Sequence, residues 1–148
     1  RQTYRIHPNN CSEFETLFQK LIENESMLFQ EFLNNIITQG EISLILIGGK
    51  YTHAVKKIAK KGDFRVQDDH GGTVEQYIAT ESEIKFAKKC LEKCQYSPIY
   101  ARVDVVYDNN NKLSLSELEL IEPELWFRNK PESATLLAEE VFSLLSSK

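Results

Sequence analysis

Four charged residues near the carboxyl end of the sequence have a spacing that suits phosphate and metal chemistry. Arg102 and Asp104 are two positions apart in one apolar run, and Glu117 and Glu119 repeat that spacing in the next. Alternate side chains of a β-strand lie on the same face of the sheet. If both runs are strands, each pair therefore presents its two charged groups together.

The two runs read as a β-hairpin. Tyr100–Tyr107 and Leu113–Ile121 are rich in strand-forming residues and flank a short polar segment. A loop of the four residues Asn109–Lys112 would fix the register of the two strands. In that register the opposed charged residues are Asp104 with Glu117 and Arg102 with Glu119.

Two opposed carboxylates need a proton or a cation between them. Directly opposed side chains on antiparallel strands have Cβ atoms about 4.5–5.5 Å apart, and carboxylates at that distance repel each other. An adjacent arginine and a third carboxylate complete a patch suited to Mg²⁺ and phosphate, because Mg²⁺ takes a few carboxylates together with substrate phosphate oxygens. The alternative is a solvated strand face with alternating charges, and a slip of one residue would bring different faces together.

The stretch from Lys60 to Gly72 is a second candidate for phosphate chemistry. It is cationic at its start, contains Arg65 and ends in Gly71-Gly72. Arginine binds phosphate or carboxylate oxygens in a bidentate manner, and a mobile loop over a phosphate site would exclude water from a reactive intermediate. The alternative is a surface loop with scattered charges.

A third candidate lies on the run Glu41–Ile47. Glu41 and Ser43 share one face of the predicted strand, so that face can be polar while the aliphatic residues between them pack on helices. Pairing across a turn at Gly48-Gly49 would place Glu41 opposite Lys56. The alternative role for that pair is an ordinary cross-strand ion pair of little energetic weight.

Three helices carry recognisable start signals. The first spans Ser12–Asn24, where the opening serine and Glu15 have the spacing of a capping box. Thr80 and Glu83 repeat that spacing at the start of the second helix, and Pro131 suits the first turn of the third. The third helix has an apolar stripe formed by Ala134, Leu137, Ala138, Val141, Leu144 and Leu145.

The order of elements predicts the fold class. Ser26–Leu33 and Tyr51–Ile58 read as further strands, so helices alternate with antiparallel hairpins. This order indicates an α+β fold with a largely antiparallel sheet and helices packed on one face.

Composition narrows the class of protein and its partners. The chain has 148 residues with 18 basic and 22 acidic side chains, a net charge of −4 that argues against nucleic acid or an anionic membrane as the main partner. Its length suggests one domain, and the longest apolar run is far too short to span a bilayer. The three cysteines form no disulfide framework, which favours a cytoplasmic location. The histidines lack the spacing of a zinc site.

Four ordered segments resemble the carboxyl-terminal part of the ATP-grasp fold. They read MLFQEFLNNIITQGEISLILIGGKYTHAVKK, KGDFRVQDDHGG, YARVDVVYD and SELELIEPELWF. The resemblance is closest to the branch that includes prokaryotic glutathione synthetase and the cycloserine-biosynthesis ligase. It covers the chain from about Ser26 to the last helix, and its most specific feature is Arg-x-Asp on one strand followed by Glu-x-Glu on the next.

The resemblance implies a set of nucleotide contacts. The hinge strand that holds adenine through its backbone corresponds to Gln30, Glu31, Phe32 and Leu33. By the same resemblance, Glu41 takes the ribose hydroxyls.

The resemblance also implies phosphate and metal contacts. Arg65 and Arg102 resemble arginines that contact phosphate or the acyl-phosphate, whereas Asp104 and Glu117 resemble metal carboxylates. Glu119 stands where ATP-grasp proteins commonly carry asparagine, and it is the third candidate metal ligand. The implied cofactors are ATP and Mg²⁺, with Mn²⁺ as a substitute.

The function that the resemblance implies is ATP-dependent ligation of a small-molecule carboxylate to an amine or thiol through an acyl-phosphate. The family's phosphate-binding lysine, glycine-rich loop and amino-terminal substrate domain have no counterpart here, and the chain starts at Arg1. We therefore expect a single carboxyl-terminal ATP-grasp domain from a longer ligase, inactive alone and in a family whose members are often homodimers.

Two other functions stay open at this stage. A non-catalytic nucleotide-binding or scaffold domain is favoured by Glu119 in place of asparagine. A structural interaction module would use Trp126 and Phe127 as an exposed docking patch, since aromatic residues are enriched at interfaces. Burial of Trp126 would count against that module.

Overall fold

Five antiparallel strands form one sheet in the computed structural model, which describes residues 3–60, 62–63 and 71–146. The strands are β1 (Glu41–Ile47), β2 (Lys50–Ile58), β3 (Thr73–Tyr77), β4 (Tyr100–Tyr107) and β5 (Leu113–Glu119). Their order across the sheet is β3-β2-β1-β4-β5. The predicted α+β class with an antiparallel sheet is confirmed, and both predicted hairpins form.

The chain divides into two units, residues 1–32 and 33–148. The first unit contains helix α1 (Cys11–Ile22). Within the residues that the structure describes, the second contains the sheet, a 3₁₀ turn at Phe127–Asn129 and three α-helices. These helices are α2 (Asn35–Gln39), α3 (Glu81–Leu91) and α4 (Glu132–Ser146).

The core of the second unit lies on both faces of the central strands. All seven residues of β1 are buried, which is why its sequence is a nearly continuous aliphatic run rather than an alternating one. On one face, Leu44 and Val103 pack with Ala87 of α3. On the other face, Ile45 packs with Trp126, and Leu137 of α4 lies against that cluster.

The predicted capping box at the start of α3 is confirmed. The Thr80 hydroxyl accepts from the Glu83 N–H at 3.3 Å, and the Thr80 N–H donates to Glu83 Oε2 at 2.7 Å. Glu83 is fully buried, and its other oxygen accepts from the hydroxyls of Tyr77 and Tyr107 at 3.2 and 3.0 Å. Burial, reinforced by the Glu83 charge, raises the pKa of Tyr77 to about 12. Glu83 therefore joins α3 to strands β3 and β4.

The capping box predicted for α1 is wrong. The helix begins at Cys11, one residue earlier than expected, so Ser12 lies within its first turn. Asn10 is the N-cap residue and makes no side-chain capping bond. Its side-chain oxygen instead accepts from the His7 N–H at 2.7 Å, which stabilises the turn before the helix.

The strand predicted over Ser26–Leu33 is also wrong. This segment is assigned to no helix or strand before α2, and none of the described strand pairings includes it. Leu28 and Phe29 are 86% and 79% exposed. An apolar run forms a strand only where a neighbouring strand satisfies its backbone groups. The apolar composition of Ser26–Leu33 was therefore not sufficient to predict a strand.

Pro131 directly precedes α4, one residue before the first turn in which it was predicted. Of the predicted apolar stripe, only Leu137 packs against a core cluster. Val141, Leu144 and Leu145 are exposed. Within the described residues, no helix combines the length and hydropathy that a membrane crossing needs.

Replacing Glu83 should destabilise the fold more than replacing a neighbouring glutamate. Glu83→Ala leaves the Thr80 N–H and two partly buried tyrosine hydroxyls without their acceptor, so we expect the free energy of unfolding to fall by about 3 kcal/mol. The matched control is Glu81→Ala, which alters an exposed residue of the same helical turn. Urea unfolding followed by circular dichroism measures both. Equal losses in the two variants would contradict the role given to Glu83.

Candidate functional site

The β4–β5 hairpin brings the predicted charged residues together. Arg102 lies opposite Glu119, and Asp104 lies opposite Glu117, as the sequence predicted. One carboxylate oxygen from each of Asp104, Glu117 and Glu119 lies within 4.8 Å of the other two.

This register arises in a different way from the predicted one. Tyr107 pairs with Leu113, so the loop has one residue more than expected. Asp108 favours the longer loop, because its side chain accepts from the backbone N–H groups of Asn110 and Lys112 at 2.8 and 2.9 Å. A β-bulge at Ser116 then compensates for the added loop residue and restores the predicted pairing.

The bulge residue is itself part of the site. The hydroxyl of Ser116 donates to Glu41 Oε2 at 3.1 Å. Glu41 lies at the start of β1, and β4 separates it from β5. Ser116, which is adjacent to the candidate metal ligand Glu117, therefore connects strand β5 to Glu41, the residue expected at the ribose.

The partner predicted for Glu41 is wrong by one residue. A second bulge, at Thr52 in β2, shifts the β1–β2 register, so Lys57 rather than Lys56 lies opposite Glu41. The ammonium group of Lys57 is 2.5 Å from Glu41 Oε1 and donates to Asp104 Oδ2 at 2.9 Å. The Lys56 ammonium lies 5.8 Å from the centre of the Tyr77 ring. The sequence analysis missed Lys57. The only feature of the sequence that pointed to Lys57 was its position next to Lys56.

We call the six charged residues on this face the acid–cation cluster: Glu41, Lys57, Arg102, Asp104, Glu117 and Glu119. Its floor is Asp104, which is fully buried. Arg102 Nε donates to Asp104 Oδ1 at 3.0 Å, and its Nη2 is 3.0 Å from Asp104 Oδ2. The same nitrogen contacts Glu119 closely and lies 3.7 Å from Glu117, whose side chain is 60% exposed. The cluster therefore runs from a buried floor to a solvent-exposed rim.

The cluster carries more negative charge than its own cations neutralise. Four carboxylates face one lysine and one arginine, which leaves an excess of two negative charges when all are ionised. Burial raises the pKa of Glu119 above its usual 4.5, and the neighbouring Glu117 and Asp104 add to this, while Arg102 opposes it. Three carboxylates around such an excess fit a hard divalent cation such as Mg²⁺, which prefers oxygen ligands.

Trp126 covers the two cations of the cluster. It is 4% exposed, and its ring centre lies 5.3 Å from Arg102 Cζ and 5.6 Å from Lys57 Nζ. These distances are within the range of cation–π attraction. Its burial counts against the docking patch that Trp126 and Phe127 would form.

The remaining predicted site residues are Arg65 and the segment Gln30–Leu33. Arg65 is outside the described residues. Gln30, Glu31 and Phe32 belong to the first unit, and Leu33 begins the second. Their role in holding adenine stays a prediction, without the hinge strand that was expected to provide it.

Replacing Lys56 and Lys57 by methionine, each in a separate variant, should distinguish the roles of the two residues. In Lys57→Met the buried Asp104 and Glu41 lose one of their cations, so we expect a loss of about 3 kcal/mol in the free energy of unfolding. Lys56→Met is the matched control, because Lys56 is half-buried and makes no ion pair among the described residues. Its expected change is within about 0.5 kcal/mol. Thermal and urea unfolding measure both, and an equal loss would refute the assignment of Lys57.

Solved structures of similar fold are ATP-grasp ligases. D-cycloserine synthetase DcsG aligns with a TM-score of 0.64 and 23% identity, over 78% of this chain and 41% of that one. The ligase PsnB, solved with a precursor variant, Mg and ADP, aligns with a TM-score of 0.64 and 13% identity, over 95% and 43%. D-alanine–D-alanine ligase from Bacillus anthracis, solved with ATP, aligns with a TM-score of 0.56 and 15% identity, over 89% of this chain and 45% of that one.

The chain spans less than half the length of each of these structures. No curated protein matches its sequence. The family model described as the RimK-like ATP-grasp domain matches residues 9–122, which is most of the chain. The chain therefore belongs to the RimK-like ATP-grasp domain family.

Proposed function

We propose that this chain supplies the metal and phosphate part of the active site of an ATP-dependent carboxylate–amine or carboxylate–thiol ligase. The observation that carries the proposal is the convergence of Asp104, Glu117 and Glu119 beside Arg102 on two neighbouring strands. Family membership supports ATP-dependent ligation in general, while the acyl-phosphate intermediate and the choice of substrates belong to the proposal.

The three carboxylates would hold the divalent cation. Asp104 is fixed by two cations at the buried floor, whereas Glu117 at the exposed rim can turn toward an incoming metal–nucleotide complex. When bound there, Mg²⁺ would neutralise negative charge on the phosphate oxygens as the phosphoryl group moves to the substrate carboxylate.

Arg102 and Lys57 would orient the site and face the phosphates. Both are buried against Trp126, where low dielectric strengthens their attraction to anions. Because their positions are fixed by Asp104 before a ligand arrives, little reorganisation is needed during the reaction. Arg65 is proposed as a further contact to phosphate or to the acyl-phosphate.

The nucleoside would lie toward the start of β1. Glu41 is proposed to accept from the ribose hydroxyls with the lone pairs that Lys57 and Ser116 leave available. The backbone of Gln30–Leu33 is proposed to hold adenine. The proposed substrates are small-molecule carboxylates and amines or thiols. The protein is further proposed to be a homodimer and to be located in the cytoplasm.

The second candidate is a nucleotide-binding domain without turnover. Glu119 favours it, because this residue replaces the usual asparagine and already pairs closely with Arg102. Calorimetry of the full-length protein with Mg-ATP, followed by an ADP-release assay over carboxylate and amine substrates, separates the two functions. Binding without ADP release under every substrate pair would support the second candidate.

Removing two of the carboxylates should abolish metal-dependent nucleotide binding. The double change Asp104→Asn with Glu117→Gln removes two charges without a large change in volume, so we expect Mg-ATP affinity to fall by at least about 100-fold. Titration calorimetry measures it. Glu75→Gln, on the exposed edge strand β3, is the control for a general loss of negative charge. Unchanged binding in the double variant would end the metal assignment.

Metal affinity should rise with pH through the titration of Glu119. Its pKa is raised in the folded protein, so a proton occupies this carboxylate at pH values where an ordinary glutamate is ionised. Metal binding must displace that proton, which makes affinity lowest below the raised pKa and pH-independent above it. Calorimetry of Mg²⁺ or Mn²⁺ binding in buffers of different ionisation enthalpy measures the proton release. We expect Glu119→Gln to remove the release.

The same shift gives the sign of the stability change in the absence of metal. Because the folded state holds the Glu119 proton more tightly than the unfolded state, this residue lowers the free energy of unfolding as pH rises from 4.5 through the raised pKa.

A further inference from the structure

Two features of Trp126, its backbone conformation and its buried indole N–H, are energetically unfavourable in its position over Lys57 and Arg102. Its backbone is in the left-handed region, with φ 45° and ψ 43°, which β-carbon-bearing residues rarely adopt. Its indole N–H is buried and has no hydrogen-bond partner among the described residues. Neither the local backbone preference nor a bond from its own N–H therefore explains why the ring lies there.

A hydrogen bond from the sheet fixes the residue before Trp126. His53 on β2 is 7% exposed, and its Nε2 lies 3.0 Å from the carbonyl oxygen of Leu125. A carbonyl can only accept, so Nε2 must carry the proton and Nδ1 of the neutral ring must accept. Burial lowers the pKa of His53 and so favours this neutral form.

The other ring nitrogen fixes the chain after Trp126. The hydroxyl of Ser133, which is buried in the first turn of α4, lies 3.3 Å from His53 Nδ1. The Thr52 hydroxyl lies 2.9 Å from Nδ1 and 3.1 Å from the carbonyl oxygen of Ile45, so it can donate to either acceptor. Ser133 supplies a second hydroxyl within hydrogen-bond distance of the same ring nitrogen. His53 thus ties the segment between β5 and α4 to the sheet on both sides of Trp126.

The β2 bulge makes this arrangement possible. After the extra residue Thr52, His53 pairs with Ile45. Ile45 packs with Leu125 and Trp126 on the face that carries Lys57 and Arg102. The bulge that gives Glu41 its lysine partner therefore also directs His53 toward the Trp126 segment.

We propose that His53 is a positioning residue of the proposed ATP site, which holds the Trp126 ring against Lys57 and Arg102. The ring excludes water from one side of both cations, and its electron-rich face attracts them. The two cations are thereby kept in place beside Asp104, where the proposed function requires them for the phosphates. This inference rests on the proposed function for its effect on nucleotide binding, but the placement of Trp126 can be tested without it.

Trp126 is the only tryptophan among the 148 residues, so its fluorescence reports the ring directly. His53→Leu removes the donor to Leu125 at similar size, whereas His53→Gln keeps a side-chain N–H that can reach the same carbonyl. In His53→Leu we expect a red-shifted emission maximum and about twofold stronger acrylamide quenching, because the indole becomes exposed to water. We expect His53→Gln to stay close to the unmodified chain.

The outcome that overturns the placement is specific. If His53→Leu is folded by circular dichroism and its emission and quenching are unchanged, His53 does not position Trp126. A role in stability alone would lower the unfolding midpoint without moving these signals in the folded protein. If His53→Leu does not fold, Ser133→Ala, which removes only the contact between α4 and Nδ1, gives the same readout in milder form.

Nucleotide affinity tests the functional half of the inference. With Mg-ADP as the probe, we expect about tenfold weaker binding in His53→Leu and in Trp126→Leu, and near-normal binding in His53→Gln. Exposure of Trp126 with unchanged Mg-ADP affinity would overturn the link to the site. If the unmodified full-length protein binds no Mg-ADP, the proposed function fails, while the fluorescence result still decides the position of Trp126.

Discussion

The burial of the Asp104 carboxylate is the constraint on which the site depends. A carboxylate without solvent needs cations and hydrogen bonds in place of water, and here Arg102 approaches it from the same strand while Lys57 approaches it from β2. Lys57 reaches Asp104 from β2 across the intervening strand β1, where the residue opposite Asp104 is the small Ser43. A larger side chain at Ser43 would obstruct that contact, so the central strand shapes the site without binding anything itself.

Two β-bulges decide how well the site could be predicted. Period-two alternation correctly predicts which residues share a face until an extra residue reverses the pattern. In β4–β5 the longer loop and the Ser116 bulge cancel, so the predicted pairs Asp104–Glu117 and Arg102–Glu119 are right although the assumed loop is not. In β1–β2 the bulge at Thr52 has no such compensation, and the predicted lysine is the wrong one.

The elements that were predicted correctly are those set by strong local chemistry. The central strands β1 and β4 are mostly apolar and buried along their length, and α3 begins with a capping box whose two bonds are made within four residues. The strand expected over Ser26–Leu33 required a partner that its own sequence does not specify. Strand β3 is short and half polar at the sheet edge, where burial leaves little pattern to detect.

Glu119 changes the balance of the cluster in a way that an asparagine would not. With an uncharged amide at this position the cluster would hold one excess negative charge, and with glutamate it holds two when fully ionised. The added charge strengthens attraction for a divalent cation, but it also raises the carboxyl pKa, so protons compete for the same position. Arg102 limits this competition by pairing with Glu119. Arg102 also fixes Asp104 at the buried floor of the site. One arginine therefore holds both Asp104 and Glu119, the residue that departs from the common pattern.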